Sequence, residues 1–148
     1  MKTLLLSLMF LSFLSVSGQT TNKEYDADLA KKLGADEHGM KNYIFVILKT
    51  GTANITDKPL RDSLFRGHMS NINRLAGIGK LVVAGPFGSN DDGMRGLFIL
   101  DVKSIDEARE LLRSDPTIRE KIFEAVYYPW YGSAAHPEYL KVHRKIER

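Results

Sequence analysis

The stretch Pro59–Gly79, PLRDSLFRGHMSNINRLAGIG, decides how this chain folds, because it predicts a long helix with a histidine on its apolar side. One set of residues in it recurs at spacings of four, four, four and three, which is one face of an α-helix. This set is Leu60, Leu64, His68, Ile72 and Leu75. The imidazole therefore has apolar neighbours one turn before it and one turn after it.

Two interpretations of His68 are open at this point. It is either a core histidine whose two nitrogens are both hydrogen-bonded, or a site residue that faces an opening. Phe65, Met69 and Ala76 are expected to widen the buried stripe on either side of it. Gly67 lies in mid-helix, where glycine costs about 1 kcal/mol relative to alanine. It indicates a close backbone approach or an opening beside the imidazole.

Length and charge fit one small domain. The chain has 148 residues and a net charge of +3, with positive and negative residues interleaved rather than gathered into a basic stripe. Nucleic acid is therefore not an expected partner. The chain has no cysteine, which excludes disulfides and thiol catalysis.

The first residues have the layout of a secretory signal peptide. Met1–Gly18 begins with Lys2, continues with an apolar run and ends in small residues. It is too short for a membrane span of about 20 residues, although an uncleaved anchor is the alternative. Cleavage after Gly18 would leave Gln19 first. The mature protein is then expected in the periplasm or secreted, without membrane contact.

The remaining sequence predicts four strands and two main helices in the order β-α-β-β-α-β. The strands are expected at residues 42–48, 81–84, 96–102 and 122–130, with Pro129 ending the last. A capping box, Ser104–Glu107, starts the second main helix. Residues 19–41 are expected to form an extension with a short helix, residues 42–135 the domain, and residues 136–148 a C-terminal helix.

This order predicts a ferredoxin-like α+β fold with an antiparallel four-stranded sheet and both main helices on one face. The strands carry apolar residues on both sides, so the other face needs cover. A second copy is the usual solution, and a homodimer with facing sheets is expected. The terminal helices are the alternative cover.

Asp115 is the second candidate for the site. Locally it fits the N-cap of the turn that Pro116 begins, a role worth about 1 kcal/mol. A carboxylate that also orients the His68 imidazole would fix its tautomer and raise its basicity. The predicted topology permits this contact, although the spacing does not establish it.

Other signals are weaker. Gly85 and Pro86 end a strand and either shape a pocket wall or turn the chain. The aromatic residues of 127–131 line a pocket or, by default, pack in the core and a dimer. There is no phosphate loop, dinucleotide fingerprint or nucleophilic serine motif, so no cofactor is expected. The Asp36–Gly39 stretch is expected to be a turn, since it lacks metal-ligand spacing, and no metal is expected.

Three segments together resemble the YciI-like (YCII-related) family. They are GHMSNINRLAGIGKLVVAGPF (67–87), RGLFILDVKSIDEARELLRSDP (95–116) and PWYGSA (129–134). The resemblance extends over Tyr43–Ala135 and implies a ferredoxin-like fold assembled as a dimeric α+β barrel. It also implies an active site with His68 and Asp115 as catalytic residues and with Gly85 and Pro86 at the substrate. The signal-peptide-like residues Met1–Gly18 depart from the family pattern, since many members of the family look cytoplasmic.

Together these features predict a small enzyme without a cofactor, in which His68 is the general acid/base and Asp115 orients it. Elimination, isomerisation or hydrolysis of a small cyclic or aromatic molecule fits. The resemblance adds that related barrels include lactone isomerases and dehydrochlorinases of aromatic catabolites. The alternative is a non-catalytic dimeric module that binds a small molecule or serves as an accessory protein, and a purely structural dimer is the third hypothesis.

Overall fold

The computed structural model describes residues 22–148, so the expected leader, Met1–Gly18, lies outside the described residues. In chain order, the elements of this part are α1 (Ala27–Leu33), β1 (Met40–Thr50), α2 (Lys58–Gly77), β2 (Leu81–Pro86), β3 (Met94–Leu100), α3 (Ile105–Leu112), α4 (Pro116–Arg119), β4 (Phe123–Ser133), a 3-10 turn (His136–Glu138) and α5 (Tyr139–Ile146). None of the helices within residues 22–148 is long and apolar enough to cross a membrane.

The strands form one antiparallel sheet in the order β2-β3-β1-β4. With α2 as the first crossover and α3 with α4 as the second, this is the predicted ferredoxin-like α+β arrangement. Both crossovers pack on the same face, because Leu75 of α2 and Leu112 of α3 share one buried cluster with Val46 of β1. The predicted fold class is confirmed for the single chain.

Local sequence explains both ends of α2. Asp57 is the N-cap, and its carboxylate accepts an amide hydrogen bond from the first turn. Gly79 follows the helix with a φ of 72°. Its N–H donates to Ala76, and the N–H of Lys80 donates to Leu75, which is the Schellman pattern. Gly79 therefore ends the helix at the left-handed position after its C-cap.

The buried side of α2 is narrower than predicted. His68, Asn71 and Leu75 are its buried residues. Phe65 and Met69, expected to widen the stripe, are 37% and 52% exposed. The expectation was wrong because this flank of the helix borders an open cleft instead of protein.

The last strand is longer than predicted. β4 continues through Pro129 to Ser133 and pairs with β1 along its whole length. It is an edge strand of the described sheet, where a missing N–H is tolerated if it faces away from the ladder. The prediction that Pro129 ends the strand was therefore wrong.

The sheet face opposite the helices is only partly covered. Tyr43, Val82 and Ile99 form a small buried cluster there, with half-buried apolar residues packed around it. Tyr128 on the same side is 46% exposed. The described chain thus leaves an apolar sheet face partly open.

Candidate active site

His68 and Asp115 meet beneath the helical layer. The distance between His68 Nδ1 and Asp115 Oδ2 is 2.8 Å, and the two side chains are 10% and 0% exposed. Asp115 is also the N-cap of α4, since its Oδ1 accepts the N–H of Thr117 at 3.0 Å. Both interpretations of this aspartate hold together, because each uses a different carboxylate oxygen.

Gly67 allows this meeting. A Cβ added to Gly67 would lie 2.5 Å from Cγ of Pro116, the first residue of α4. Any side chain here would force the two helices apart. Of the two explanations of this glycine, close backbone approach is the one that the structure shows. Because Gly67 and Pro116 adjoin His68 and Asp115 in sequence, this packing brings the imidazole and the carboxylate together.

Four donors surround the Asp115 carboxylate. Besides His68 and the Thr117 amide, it accepts the Thr117 hydroxyl at 2.7 Å and the Asn71 side-chain amide at 3.3 Å. Burial raises the pKa of Asp115, but the hydrogen bonds from His68, Thr117 and Asn71 outweigh burial and lower it. The carboxylate is therefore ionised at neutral pH.

A second row of polar groups holds Asn71 in place. Its Oδ1 accepts hydrogen bonds from Arg74 at 2.8 Å and from Ser114 at 3.2 Å, which leaves its amide NH₂ directed at Asp115. Sequence reasoning missed Asn71 and Thr117. The spacing of residues 68, 71 and 75 was the available signal, since it places an asparagine on the buried face beside the histidine.

The contact with Asp115 fixes the tautomer of neutral His68. An ionised carboxylate only accepts, so Nδ1 carries the proton and Nε2 has a free lone pair. Nε2 makes no hydrogen bond within residues 22–148. Every fully buried side-chain nitrogen or oxygen in this part of the chain has a hydrogen-bond partner, so Nε2 must be accessible. Phe98 stacks on the imidazole at 5.9 Å between centroids, and Phe123 meets it edge-on at 5.5 Å. Two rings and one carboxylate thus hold the imidazole.

The accessible edge of His68 opens into a large cleft. The cleft has a volume of about 1140 Å³ and lies between α2, the β2–β3 hairpin and α5. Gly85 and Pro86 line it together with His68, whereas Asp115 lies behind the histidine. A Cβ at Gly85 would meet nothing within 4 Å, so this wall borders open space.

The aromatic residues near the end of β4 do not line this cleft. Trp130 packs against Tyr43 on the opposite sheet face, with 5.7 Å between ring centroids. The hydroxyl of Tyr131 donates to Asp36 at 2.6 Å. Of the two interpretations of this cluster, packing is the one seen in the chain.

The fold and the His68–Asp115 pair define a ferredoxin-like α+β domain with a buried histidine–carboxylate centre beside a cleft. The model of the YCII-related domain matches residues 43–130, and the chain belongs to this family. No curated protein matches the chain. Among solved structures, one match is 5-chloro-2-hydroxyhydroquinone dehydrochlorinase (TftG) from Burkholderia phenoliruptrix AC1100, in complex with 2,5-dihydroxybenzoquinone. It is 22% identical, with a TM-score of 0.42, over 59% of this chain and 92% of that one.

Proposed function

We propose that this protein is a small-molecule enzyme in which His68 is the general acid/base and Asp115 positions it. One observation carries the proposal: Nδ1 of His68 lies 2.8 Å from a buried carboxylate, while the ring lines a cleft of about 1140 Å³. A neutral imidazole with a free lone pair on Nε2 can accept a proton from a substrate.

The arrangement supports transfer of one proton at Nε2. The nitrogen takes a proton from a substrate C–H or O–H, or from an attacking water, and the ionised Asp115 stabilises the imidazolium that forms. In an elimination the leaving group departs as the proton moves to Nε2. In an isomerisation Nε2 returns the proton to a different substrate atom. Elimination, isomerisation and hydrolysis therefore remain the proposed reaction classes.

The walls of the cleft favour a ring as the substrate. Phe65, Met69 and Ile72 of α2 line the cleft together with His68, and Phe123 packs edge-on against Phe65 with 5.6 Å between ring centroids. Apolar and aromatic side chains around a small number of polar groups are typical of small-molecule sites. Phe65 and Met69 are exposed in the chain, which is unexpected for a core stripe. A ligand that covers them would explain this exposure.

Turnover of a compound panel tests the proposal. Lactones, quinols and chlorinated hydroxyquinones are assayed with the wild type, His68→Gln and Asp115→Asn. General acid–base catalysis contributes about 10²–10⁴-fold, so we expect losses of that order in His68→Gln. His38→Gln is the matched control, because His38 is an exposed turn residue with a 71% exposed side chain.

The outcomes separate the enzyme from a binding module. Turnover that falls in His68→Gln but persists in His38→Gln, with equal thermal stability, supports the enzyme. A compound that binds without turnover in the wild type identifies a non-catalytic module instead. Turnover that survives in His68→Gln contradicts the assigned role of the histidine.

We also propose that the protein works as a homodimer with facing sheets. The partly open apolar face around Tyr43, Val82 and Ile99 supports this assembly. The dimer is independent of the acid/base proposal, because His68 lies on the helical side of the sheet.

Export is proposed from the leader-like residues Met1–Gly18 alone. The intact mass of the protein recovered from an exporting bacterial host tests it. A mass that begins at Gln19 supports cleavage, and a mass that retains Met1–Gly18 contradicts it.

A further inference from the structure

The C-terminal helix α5 presents an unusual side to the cleft. Leu140, His143 and Arg144 line the cleft, and their spacing of three and one is one helical face. Val142 and Ile146 lie on another side of the helix and are 60% and 73% exposed. A surface helix normally buries its apolar face and exposes its charged one. Here the side toward the cleft carries His143 and Arg144 beside Leu140, while Val142 and Ile146 stay exposed.

The charges that line the cleft are predominantly positive. Arg95 of β3, Arg144 of α5 and Arg148 beyond it contribute three cations, and Glu147 is the one carboxylate side chain among the lining residues. Glu147 lies 3.5 Å from the imidazole of His143. None of the three arginines forms an ion pair within residues 22–148.

Arg95 is also held in place. Its Nε donates to the hydroxyl of Thr50 at 2.6 Å, and Thr50 in turn donates to the Gly93 carbonyl at 3.2 Å. The terminal nitrogens of the guanidinium have no partner within the described residues. A guanidinium fixed in this way presents a planar pair of donors, which matches the geometry of a carboxylate.

We propose that the cleft takes a small cyclic carboxylate, whose ring lies against Phe65 and Phe123 and whose carboxylate meets Arg95 and Arg144. This inference rests on the proposed function, since it names the substrate class of the same site. A neutral ring would satisfy the apolar walls but leave the arginines unused. The C-terminal helix, which lies outside residues 43–130 of the family match, thus becomes part of substrate selection.

Binding of benzoate and of its neutral analogue benzamide tests the proposal. Both probes are titrated into the full-length mature protein and followed by amide chemical shifts in two-dimensional NMR. We expect benzoate to bind roughly tenfold tighter at low salt, since each exposed ion pair contributes up to about fivefold in affinity. The preference should shrink as the salt concentration rises, because ions screen exposed charges.

Variants localise the effect. Arg95→Gln and Arg144→Gln should each weaken benzoate binding by up to about fivefold and leave benzamide unchanged. Arg113→Gln is the matched control, because Arg113, the C-cap of α3, lies outside the cleft and pairs with Glu110. It should preserve the preference for benzoate.

The proposal is overturned if benzoate and benzamide bind equally, or if neither shifts cleft residues at up to roughly 10 mM, a range in which weak ligands are detected. It is also overturned if the preference for benzoate is undiminished in both cleft variants. His68→Gln separates the two proposals. If His68→Gln keeps the preference for benzoate and the wild type turns over no carboxylate, the anion site is supported and the proposed enzymatic function is contradicted.

Discussion

At the scale of single residues, Asp115 links the site to stability. Its pKa is lowered in the folded protein, so folding favours the ionised form. A depressed carboxylate pKa contributes stability that is fully present above about pH 5 and is lost as pH falls through the folded pKa. The ordinary value is 3.8, so the loss lies below about pH 4. We expect Asp115→Asn to lower the free energy of unfolding at pH 7 and to flatten its decline in acid.

Urea denaturation of both proteins between about pH 3 and 7 measures this effect, since the difference in free energy should narrow as the wild-type carboxylate is protonated. Asp92→Asn, in the exposed loop before β3, is the control and should leave the curve unchanged. A constant difference between wild type and Asp115→Asn over the whole range would show that the carboxylate does not drive the acid dependence.

Gly67 gives the second prediction at this scale. Alanine adds a Cβ that would lie 2.5 Å from Cγ of Pro116, whose ring cannot swing aside. The gain in helix propensity is about 1 kcal/mol, but overpacking costs about 1–3 kcal/mol, so we expect net destabilisation and loss of turnover.

Gly77→Ala is the control for this substitution, because it lies in the same helix with nothing within 4 Å of an added Cβ. Thermal unfolding of both variants is the measurement. We expect Gly77→Ala to be neutral or stabilising. Equal effects of the two substitutions would show that the helix contact at Pro116 is not tight.

The sequence identified His68 and Asp115 as candidates but did not predict that they are in contact. The periodicity of α2 selects His68, and the Asp-Pro pair selects Asp115 as a cap. Their separation of 47 residues carries no information on distance, which depends on how α2 crosses α4. Gly67 is the local sequence feature that indicates a close approach of α2 to another backbone segment. Nothing comparable marks Thr117, whose role depends on the path of the chain after Pro116.

At the scale of elements, α2 shows why apolar periodicity overestimates the core. The same spacing describes a helix that faces protein and one that borders a cleft. Leu75 is fully buried, whereas Met69 is 52% exposed. We therefore expect Leu75→Ala to cost about 2–5 kcal/mol and Met69→Ala less than about 0.5 kcal/mol. Chemical denaturation of the two variants checks this contrast.

A large loss in Met69→Ala would mean that the cleft is closed in solution. For the affinity of a ligand in the cleft, we expect the opposite order of effects, with Met69→Ala more harmful than Leu75→Ala. Met69→Ala should weaken binding of a ring compound, because Met69 lines the cleft and Leu75 does not. The titration with benzoate or benzamide supplies that measurement in the same variants.

The sequence predicts which segments are strands more accurately than it predicts where those strands end. Continuous β-branched and aromatic runs identify β1 and β4, and the glycine-rich loop before β3 identifies the hairpin. The error at Pro129 arose because a proline ends a central strand but is tolerated at an edge. Whether a strand is central or at the edge is a property of the sheet, which short stretches of sequence do not contain.

At the scale of the whole molecule, element order was sufficient for the topology, because β-α-β-β-α-β has few sheet arrangements that keep both crossovers right-handed. The position of α5 was not predictable. It follows the last strand, and it lines the cleft with both apolar and charged residues, including Leu140 and Arg144, while Val142 and Ile146 stay exposed. Apolar periodicity does not mark such a mixed side, so the sequence pattern does not predict that α5 contributes to the cleft.

The open sheet face leads to the last prediction, a homodimer. Two cross-strand rows of apolar residues lie on this face. They are Leu97–Ile47–Val126 and Ile99–Phe45–Tyr128. A stable dimer buries about 800 Å² on each subunit, and we expect the two rows to lie at the centre of that contact. We expect the wild type to have twice the monomer mass in light scattering after size exclusion.

Tyr128→Asp should shift this dimer to the monomer, because it places a charge on the interface where the side chain is 46% exposed in the single chain. Val142→Asp, on the exposed side of α5, is the matched control and should remain dimeric. Circular dichroism confirms that both variants are folded. A monomeric wild type, or a Tyr128→Asp protein that stays dimeric, would contradict facing sheets. A dimer sensitive only to Val142→Asp would assign the contact to α5.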